Sequence, residues 1–210
     1  MLTFPNVIVA MITPFHQDGS VNYEAAVELA KKYADEGSAI LVGATTGEGA
    51  VMTEEEKLKL FKVTADALKG QTLVMGNVGT NNTAQTIAMI QKAKDTGIDA
   101  LLCIVPYYNK PNQEGCYAHF AAIAKSTDMP IFIYNVPGRT GGKIEPQTVC
   151  QLAHDFPNIS GLKDASGDLD YAGYVAANAP EGFHLYSGDD NLTLPIVAVG
   201  GEGVISVAAH

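Results

Sequence analysis

The feature that most constrains the fold is a repeated alternation of two kinds of segment. Short apolar runs rich in β-branched residues alternate with longer segments of helical periodicity. Most short runs are continuously apolar, as is typical of parallel strands covered on both faces. We predict strands over residues 7–13, 39–43, 72–78, 100–106, 130–136, 159–164, 183–188 and 203–208. We predict helices over residues 22–36, 54–69, 82–96, 113–127, 145–155, 168–178 and 190–199.

This strict alternation, with near-even spacing, favours a (β/α)8 TIM barrel. A doubly wound sheet also alternates, but eight evenly spaced strands suit a barrel better. No linker or composition break divides the chain, so we expect one catalytic domain over residues 1–210. Such barrels typically need about 250 residues. We therefore expect a C-terminally incomplete barrel that lacks the final barrel helix.

Charge and composition exclude several classes of protein. The formal net charge is −10, and no basic stripe is present to bind nucleic acid. No apolar run is long enough to predict a membrane span, and Pro5 and Asn6 interrupt the N-terminal apolar segment, which makes it a poor signal peptide. The three cysteines lack the spacing of a disulfide framework or zinc site. We expect a cytoplasmic protein.

A lysine inside the predicted strand "ISGLKD" is the first candidate for chemistry. Lys163 is the only one of the 12 lysines that falls in a predicted strand. It is either a solvated strand-end residue, an ion-pair partner of Asp164 or Asp168, or an imine-forming amine. Burial at a barrel mouth would lower its pKa and supply the neutral nucleophile that carbonyl attack needs.

Other polar residues follow the predicted strands, where barrel enzymes build their active sites. Arg139, the only arginine, either forms a surface ion pair or binds a carboxylate. Tyr134 is either a core tyrosine or a proton-transfer group. Thr45 and Thr46 either cap a turn or hold a small carboxylate. For the neighbouring tyrosines, Tyr107 and Tyr108, packing against a loop or a neighbouring subunit is the more common role than catalysis.

Other chemistries lack their motifs. The stretch "GATTGEG" lacks the lysine of a phosphate-binding loop. No predicted strand is followed by the GxGxxG motif of dinucleotide-binding proteins, and the GxSxG motif of a nucleophile elbow is absent from the sequence. The five histidines show no metal-ligand spacing. The acidic "GDD" at residues 188–190 is explained more simply as the start of a helix than as a magnesium site.

Five motifs in order resemble the dihydrodipicolinate synthase family, within the pyruvate-dependent class I aldolase superfamily that also holds N-acetylneuraminate lyase. These motifs are "GATTGEG", "PYYNKPNQEG", "YNVPGRTG", "GLKDASG" and "YSGDD". The resemblance runs from residue 7 to residue 208. The arginine in "NVPGRTG" points to the synthase branch.

The resemblance implies a role for each site residue. It implies that Lys163 forms an imine with pyruvate, and that Tyr134 is the centre of a proton relay with Thr45. It implies that Tyr108 completes that relay in a neighbouring subunit. The remaining implied binding residues are Thr46 for the pyruvate carboxylate, Arg139 for the semialdehyde carboxylate, and Gly188 and Ile205 as backbone positions near the lysine.

The same resemblance implies the reaction and the partners. Pyruvate and L-aspartate 4-semialdehyde would condense to 4-hydroxy-tetrahydrodipicolinate, without a metal or organic cofactor, in a homo-oligomer that is a tetramer in the family. Glu54, Lys57 and Gln85 stand where lysine-inhibited members usually carry histidines and a glutamate, so we expect weak feedback inhibition by lysine. The alternatives are another pyruvate aldolase acting on a sugar acid, or a non-catalytic truncated paralogue. The resemblance also implies an eighth barrel helix and a C-terminal helical region beyond residue 210; without them, we expect strand 8 and its neighbours to expose apolar surface and the chain to be weakly stable or altered in association.

Overall fold

In a computed structural model that describes residues 3–210, the strands form a closed barrel. All eight neighbouring pairs, including β1 with β8, are parallel. The predicted TIM barrel is therefore confirmed. The strands are β1 (Val7–Ala10), β2 (Ala39–Val42), β3 (Val74–Asn77), β4 (Ala100–Ile104), β5 (Ile131–Asn135), β6 (Ile159–Asp164), β7 (His184–Ser187) and β8 (Gly203–Ser206).

Each of the seven predicted helical segments contains a helix. With the additional short helix α5, the helices are α1 (Tyr23–Asp35), α2 (Glu54–Leu68), α3 (Thr83–Ala93), α4 (Gln113–Ala124), α5 (Pro137–Thr140), α6 (Pro146–Asp155), α7 (Leu169–Asn178) and α8 (Thr193–Ala198), with single 3₁₀ turns at Lys94–Thr96 and Asp190–Leu192. The short α5 was not predicted. It begins at a proline and ends at Gly141, whose φ of 73° is left-handed.

Local capping explains where the helices begin. Thr53 and Glu56 form a capping box at the start of α2, and the Asn82 side chain accepts from the Gln85 backbone N–H at the start of α3. Most strands are shorter than predicted, because the chain leaves the sheet at the rim formed by the carboxyl ends of the strands before the apolar run is complete. The residues freed in this way form the loops that surround the site.

Two apolar layers hold the barrel. One lies between the barrel and its helices, and the other fills the barrel interior. The interior layer includes Phe4, Leu41, Phe132, Tyr134 and Tyr186. Because side chains alternate along a strand, every second residue of β5, β6 and β7 faces this interior. This alternation brings a small set of polar groups onto the inner wall of an otherwise apolar barrel.

The expectation that strand 8 and its neighbours expose apolar surface is only partly met. Within residues 3–210 no helix follows β8, and Leu194, Val197 and Val207 are exposed. The expectation is wrong for β8 itself, because all four of its residues are buried between β1 and β7. Over the same residues, no helix has the length and apolarity needed to cross a bilayer.

Candidate active site

The barrel places Lys163 between two tyrosines on the inner wall. On β6, Lys163 is in register with Tyr134 of β5 on one side and with Tyr186 of β7 on the other. The Lys163 Nζ lies 4.5 Å from the centroid of the Tyr134 ring. At this separation the ammonium form interacts with the face of the ring, and the phenol is close to any bond that the amine forms.

Lys163 is buried, which excludes the solvated alternative. It is only 4% exposed. The proposed ion pairs are also absent, since Asp164 accepts from Asn135 and Ser166, and Asp168 caps α7. Among the described residues, no carboxylate lies within ion-pair distance of the Lys163 amine. A buried amine without an ion-pair partner suits chemistry better than it suits stability.

Burial is the main cause of a lowered lysine pKa. It lowers the pKa of Lys163 from 10.5 to about 8, with a smaller lowering from the Arg139 guanidinium and an opposing effect from the Asp190 carboxylate. A shift of this size increases the neutral fraction at pH 7 by roughly two orders of magnitude. The site therefore supplies a nucleophilic amine near neutral pH.

Asp190 is a site residue that sequence reasoning missed. Its carboxylate accepts hydrogen bonds from the Ser206 hydroxyl and from the backbone N–H groups of Val207 and Ala208 at 3.1 and 3.2 Å. These bonds, led by the one from Ser206, outweigh burial and lower the pKa of Asp190. The carboxylate thus remains ionised and joins the end of β7 to the end of β8. The acidic "GDD" motif was the one sequence feature that could have indicated Asp190. As predicted, this motif also lies at the start of a helical segment, which opens with the 3₁₀ turn and continues as α8.

We expect Asp190→Asn to lower the pKa of Lys163 below its value of about 8. The carboxylate favours the ammonium form, so its removal makes the neutral amine available at lower pH. The acidic limb of the pH–rate profile for imine formation should move to lower pH. Asp189→Asn is the matched control, because Asp189 caps the adjacent 3₁₀ turn and should leave that limb in place. A shift to higher pH in Asp190→Asn would contradict this assignment.

Tyr134 combines a buried ring with polar neighbours. It is 6% exposed, and burial raises the pKa of its phenol, while the Arg139 charge and the nearby Thr45 hydroxyl oppose that shift. The phenol is therefore protonated near neutral pH and can donate a proton. Thr45 itself is exposed at the rim. This arrangement brings Lys163, Tyr134 and Thr45 to one side of the barrel mouth.

The loop that carries Thr45 and Thr46 is held by close backbone contacts. The Thr13 hydroxyl donates to the Gly47 carbonyl at 2.6 Å, and a side chain at Gly49 would collide with the Gly43 carbonyl. Thr46, in the middle of this loop, is half-buried. Thr45 and Thr46 therefore lie in a tightly fixed turn. This geometry is compatible both with a capping role in the turn and with binding of a small carboxylate.

Arg139 lies on the short helix α5 at the rim. It is exposed, and it forms no ion pair within residues 3–210, so the surface ion pair is not found. Its charge nevertheless acts on both Lys163 and Tyr134. A guanidinium at the mouth of an acidic protein provides local positive charge for an anionic substrate.

The sequence comparisons identify the family of this chain. The model of the dihydrodipicolinate synthetase family matches residues 3–210. The chain belongs to this family. It is 46% identical, over its whole length, to 4-hydroxy-tetrahydrodipicolinate synthase of Bacillus subtilis, of which it covers 72%. It is 49% identical to the synthase of Thermosynechococcus vestitus, again over its whole length, and covers 71% of that protein.

Solved structures give the same result for the fold. The crystal structure of a dihydrodipicolinate synthase from Bacillus anthracis has a TM-score of 0.97 and 42% identity, and the match covers 100% of this chain and 72% of that one. A synthase from Cyanidioschyzon merolae, solved with lysine bound, has a TM-score of 0.97 and 45% identity; the match covers 99% of this chain and 71% of that one.

Gly188 and Ile205, the two predicted backbone positions of this family member, differ in their relation to Lys163. A Cβ at Gly188 would lie 3.0 Å from the Lys163 Cε, so a larger residue there would press on the lysine. The Gly188 backbone N–H donates to the Asp164 carbonyl at 2.6 Å. Ile205 is buried in the barrel interior on β8, where it pairs with Ile8 of β1 rather than with β6.

Tyr108 does not join the other predicted residues in this single chain. It is 89% exposed, and its φ of 72° is left-handed, which is unfavourable for a residue with a Cβ. Glu48 and Lys110, in the loops after β2 and β4, share this conformation. All three lie on the rim that carries the site. Strained backbone of this kind often accompanies functional loops.

A cavity of about 800 Å³ lies at the opposite end of the barrel. It is lined by residues at the amino ends of β6 and β7, including Ile159, Ser160 and His184, and by Phe4. None of the predicted site residues of this family member lines it. The buried Lys163 amine and the polar loops lie at the other end of the barrel.

Proposed function

We propose that this chain condenses pyruvate with L-aspartate 4-semialdehyde to give 4-hydroxy-tetrahydrodipicolinate in lysine and diaminopimelate biosynthesis. The observation that carries the proposal is the buried Lys163 amine, with its lowered pKa, beside the Tyr134 ring. The proposed function is also supported by the family membership of the chain and by its relatives, which are named 4-hydroxy-tetrahydrodipicolinate synthases.

The first half of the reaction uses Lys163 as a nucleophile. The neutral amine attacks the C2 carbonyl carbon of pyruvate, and the resulting carbinolamine loses water to form an imine. The protonated imine withdraws electrons, so the pyruvate methyl group loses a proton and becomes an enamine carbon. No metal or organic cofactor is needed, because the iminium itself is the electron sink.

The second half forms the carbon–carbon bond. The enamine carbon attacks the aldehyde of aspartate semialdehyde, and the aldehyde oxygen takes up a proton. The amino group of the semialdehyde then attacks the imine carbon, and the Lys163 amine leaves as the ring closes. Each step moves a proton near the lysine. We assign those transfers to Tyr134, with Thr45 as its hydrogen-bonding partner.

Two groups would hold the substrate carboxylates. We assign Thr46 and its loop to the pyruvate carboxylate, and Arg139 to the semialdehyde carboxylate at the entrance. We also assign the backbone near Gly188 and Ile205 to the environment of the bound lysine adduct. The support for Arg139 is its charge at the rim, since a guanidinium matches a carboxylate with two parallel hydrogen bonds.

We expect Arg139→Ala to raise the KM for aspartate semialdehyde by about 10- to 100-fold, because a charge-assisted hydrogen bond contributes about 1.5–3 kcal/mol. The KM for pyruvate should change by less than about threefold, since the two carboxylates bind at different places. Steady-state kinetics with each substrate varied in turn measure both values. Arg139→Lys is the matched control and should recover part of the loss. An equal rise in both KM values would contradict separate carboxylate sites.

The substrate specificity can be tested by offering alternative aldehydes. With pyruvate present, we expect turnover with aspartate semialdehyde and little with aldehydes that would give a sugar acid. Preference for the sugar-acid aldehydes would favour the other pyruvate aldolases. No pyruvate adduct and no turnover from a folded chain would favour the non-catalytic paralogue.

We propose a homo-oligomer in which Tyr108 completes the proton relay of a neighbouring copy. Two observations support this proposal: the Tyr108 backbone has a strained left-handed conformation, and its side chain is 89% exposed in the single chain. One structural neighbour, at 36% identity and a TM-score of 0.93, is described as the first monomeric dihydrodipicolinate synthase variant. We further propose a cytoplasmic location, which the three buried free thiols support.

A further inference from the structure

A buried polar pair lies directly behind the two residues proposed to carry the chemistry. On β5 and β6, Tyr134 is in register with Lys163, and the next pair along is Asn135 with Asp164. Because side chains alternate across a strand, this second pair faces away from the barrel interior. Consistent with that, the Asp164 charge acts on Tyr171 of helix α7, outside the barrel wall.

The two side chains are joined by a hydrogen bond. The Asn135 Nδ2 donates to the Asp164 Oδ1 at 2.9 Å, and the two residues are 0% and 1% exposed. The other carboxylate oxygen of Asp164 accepts from the Ser166 hydroxyl at 2.7 Å. Burial raises the pKa of Asp164, and the hydrogen bonds from Ser166 and Asn135 oppose that rise.

The position of this bond in the sheet gives it a particular effect. Asn135 and Asp164 are the last residues of their strands, and just beyond them the Ala165 backbone N–H donates to the Asn135 carbonyl at 2.8 Å. Lower down, the register between β5 and β6 shifts at Ile131 and Phe132, so the pairing is irregular before it reaches the site. The side-chain bond between Asn135 and Asp164 is therefore a second link between the strands at this end, directly next to the paired residues Tyr134 and Lys163.

Stability alone does not account for the pair. The Asn135 Oδ1 is buried without a hydrogen-bond partner within the described part of the chain, as is the Tyr171 hydroxyl. Apolar residues of similar shape would avoid such unpaired groups and hold the two layers together at least as well. A buried pair with an unpaired acceptor, one residue along the strands from Tyr134 and Lys163, therefore suits a positioning role better than a purely stabilising one.

We propose that Asn135 and Asp164 are positioning residues, and that their buried hydrogen bond sets the distance between the Tyr134 phenol and the Lys163 amine. This proposal rests on the proposed function, in which that distance controls proton transfer to and from the lysine adduct. Displacement of about 1 Å at a reacting pair can lower the rate by about 10²-fold. The pair faces away from the barrel interior and acts only through its neighbours in the two strands.

The test compares Asn135→Ala with Ser166→Ala in the full chain. Asn135→Ala removes the bond between the strands, whereas Ser166→Ala removes a bond within one loop. We expect kcat to fall by about 10- to 100-fold in Asn135→Ala, and by less than about threefold in Ser166→Ala. The KM for pyruvate should change little in either. Asp164→Asn keeps a hydrogen-bonding partner for Asn135 without the charge, so its kcat should stay within about threefold of the unaltered chain.

A second readout is independent of turnover. The pKa of Lys163 can be measured from the pH dependence of its labelling by acetic anhydride, followed by peptide mass spectrometry. We expect Asn135→Ala to move this pKa from about 8 towards 10.5, because a loosened wall admits water and reduces the effect of burial. Where Asn135→Ala does not fold, Asn135→Ser replaces it, since serine keeps a polar group but is too short to reach Asp164.

The outcomes separate the two proposals. A folded Asn135→Ala or Asn135→Ser variant with unaltered kcat and unaltered Lys163 pKa overturns the positioning role. A large loss in Asp164→Asn also overturns it, since the charge rather than the bond would then matter. If the unaltered chain forms no pyruvate adduct, the proposed function fails, and the labelling pKa alone decides the positioning role: a shift supports it, and no shift overturns it.

Discussion

Lys163→Met should abolish the pyruvate adduct and lower kcat/KM for condensation by at least about 10³-fold. Loss of a covalent nucleophile removes the whole imine pathway, and single removals of such groups in other enzymes lower kcat by about 10⁶-fold. Methionine matches the length of the lysine stem and keeps an apolar side chain in the barrel. The measurements are steady-state kinetics and the intact mass after treatment with pyruvate and borohydride. Activity within about tenfold of the unaltered chain would contradict imine catalysis at this residue.

The same substitution should stabilise the fold, which separates lost chemistry from lost structure. The folded chain holds Lys163 with a pKa of about 8, against 10.5 for an ordinary lysine. Between these values the unfolded chain binds more protons, so stability of the unaltered protein rises as the pH increases from about 8 to 10.5. Below pH 8 the full cost of burying the ammonium applies, about 3 kcal/mol as an upper bound.

Lys163→Met removes that cost. Its free energy of unfolding should therefore exceed that of the unaltered chain at pH 7, and the difference should shrink as the pH approaches 10.5. Denaturant unfolding at several pH values measures it. Lys163→Arg is a useful second variant, because it keeps the charge and cannot form an imine; it should be inactive without being stabilised. A destabilised Lys163→Met would contradict the account of a strained, buried ammonium.

Tyr134→Phe should lower kcat by about 10²- to 10⁴-fold, the usual contribution of a positioned acid or base. The ring remains to pack beside Lys163, and only the proton-carrying hydroxyl is lost. The pyruvate adduct should still form, more slowly, because the Lys163 amine is intact. Single-turnover trapping with borohydride at timed intervals separates the rate of imine formation from its extent.

Tyr186→Phe is the matched control for Tyr134→Phe. Tyr186 flanks Lys163 on the other side, but its hydroxyl donates to the Pro5 carbonyl at 2.9 Å, at the opposite end of the barrel. Loss of that bond should lower stability by about 1 kcal/mol and leave kcat within about threefold. Equal losses of kcat in the two variants would show that a general loosening of the barrel, rather than proton transfer, accounts for the effect.

The fold could be predicted because its dominant signal is local. Each strand is a short apolar run, several helices are amphipathic segments, and the capping box at Thr53 marks a boundary in the sequence itself. The helix α5 was missed because its four residues are too few for periodicity to show. Strand ends were overestimated because apolar residues continue into the rim loops, where tertiary contacts rather than propensity end the ladder.

The site was predictable only in part, for a different reason. Lys163 and Tyr134 stand out as polar residues near the end of a strand, and Arg139 as the only arginine, in the loop after one. Asp190 does not, because its influence depends on hydrogen bonds from Ser206 and on proximity through space. The Asn135–Asp164 bond likewise requires the register of β5 with β6, including its irregularity lower in the pair. Because β5 and β6 are joined through helices rather than by a tight turn, their exact register depends on how these elements pack.

The most direct test of the account is to trap the lysine with its substrate. The unaltered chain is incubated with pyruvate, reduced with borohydride, digested, and mapped by peptide mass spectrometry. We predict one reduced pyruvyl group per chain, on Lys163 and on none of the other 11 lysines. No adduct on a folded chain, or an adduct spread over exposed lysines, would contradict the central claim that the barrel activates this one amine.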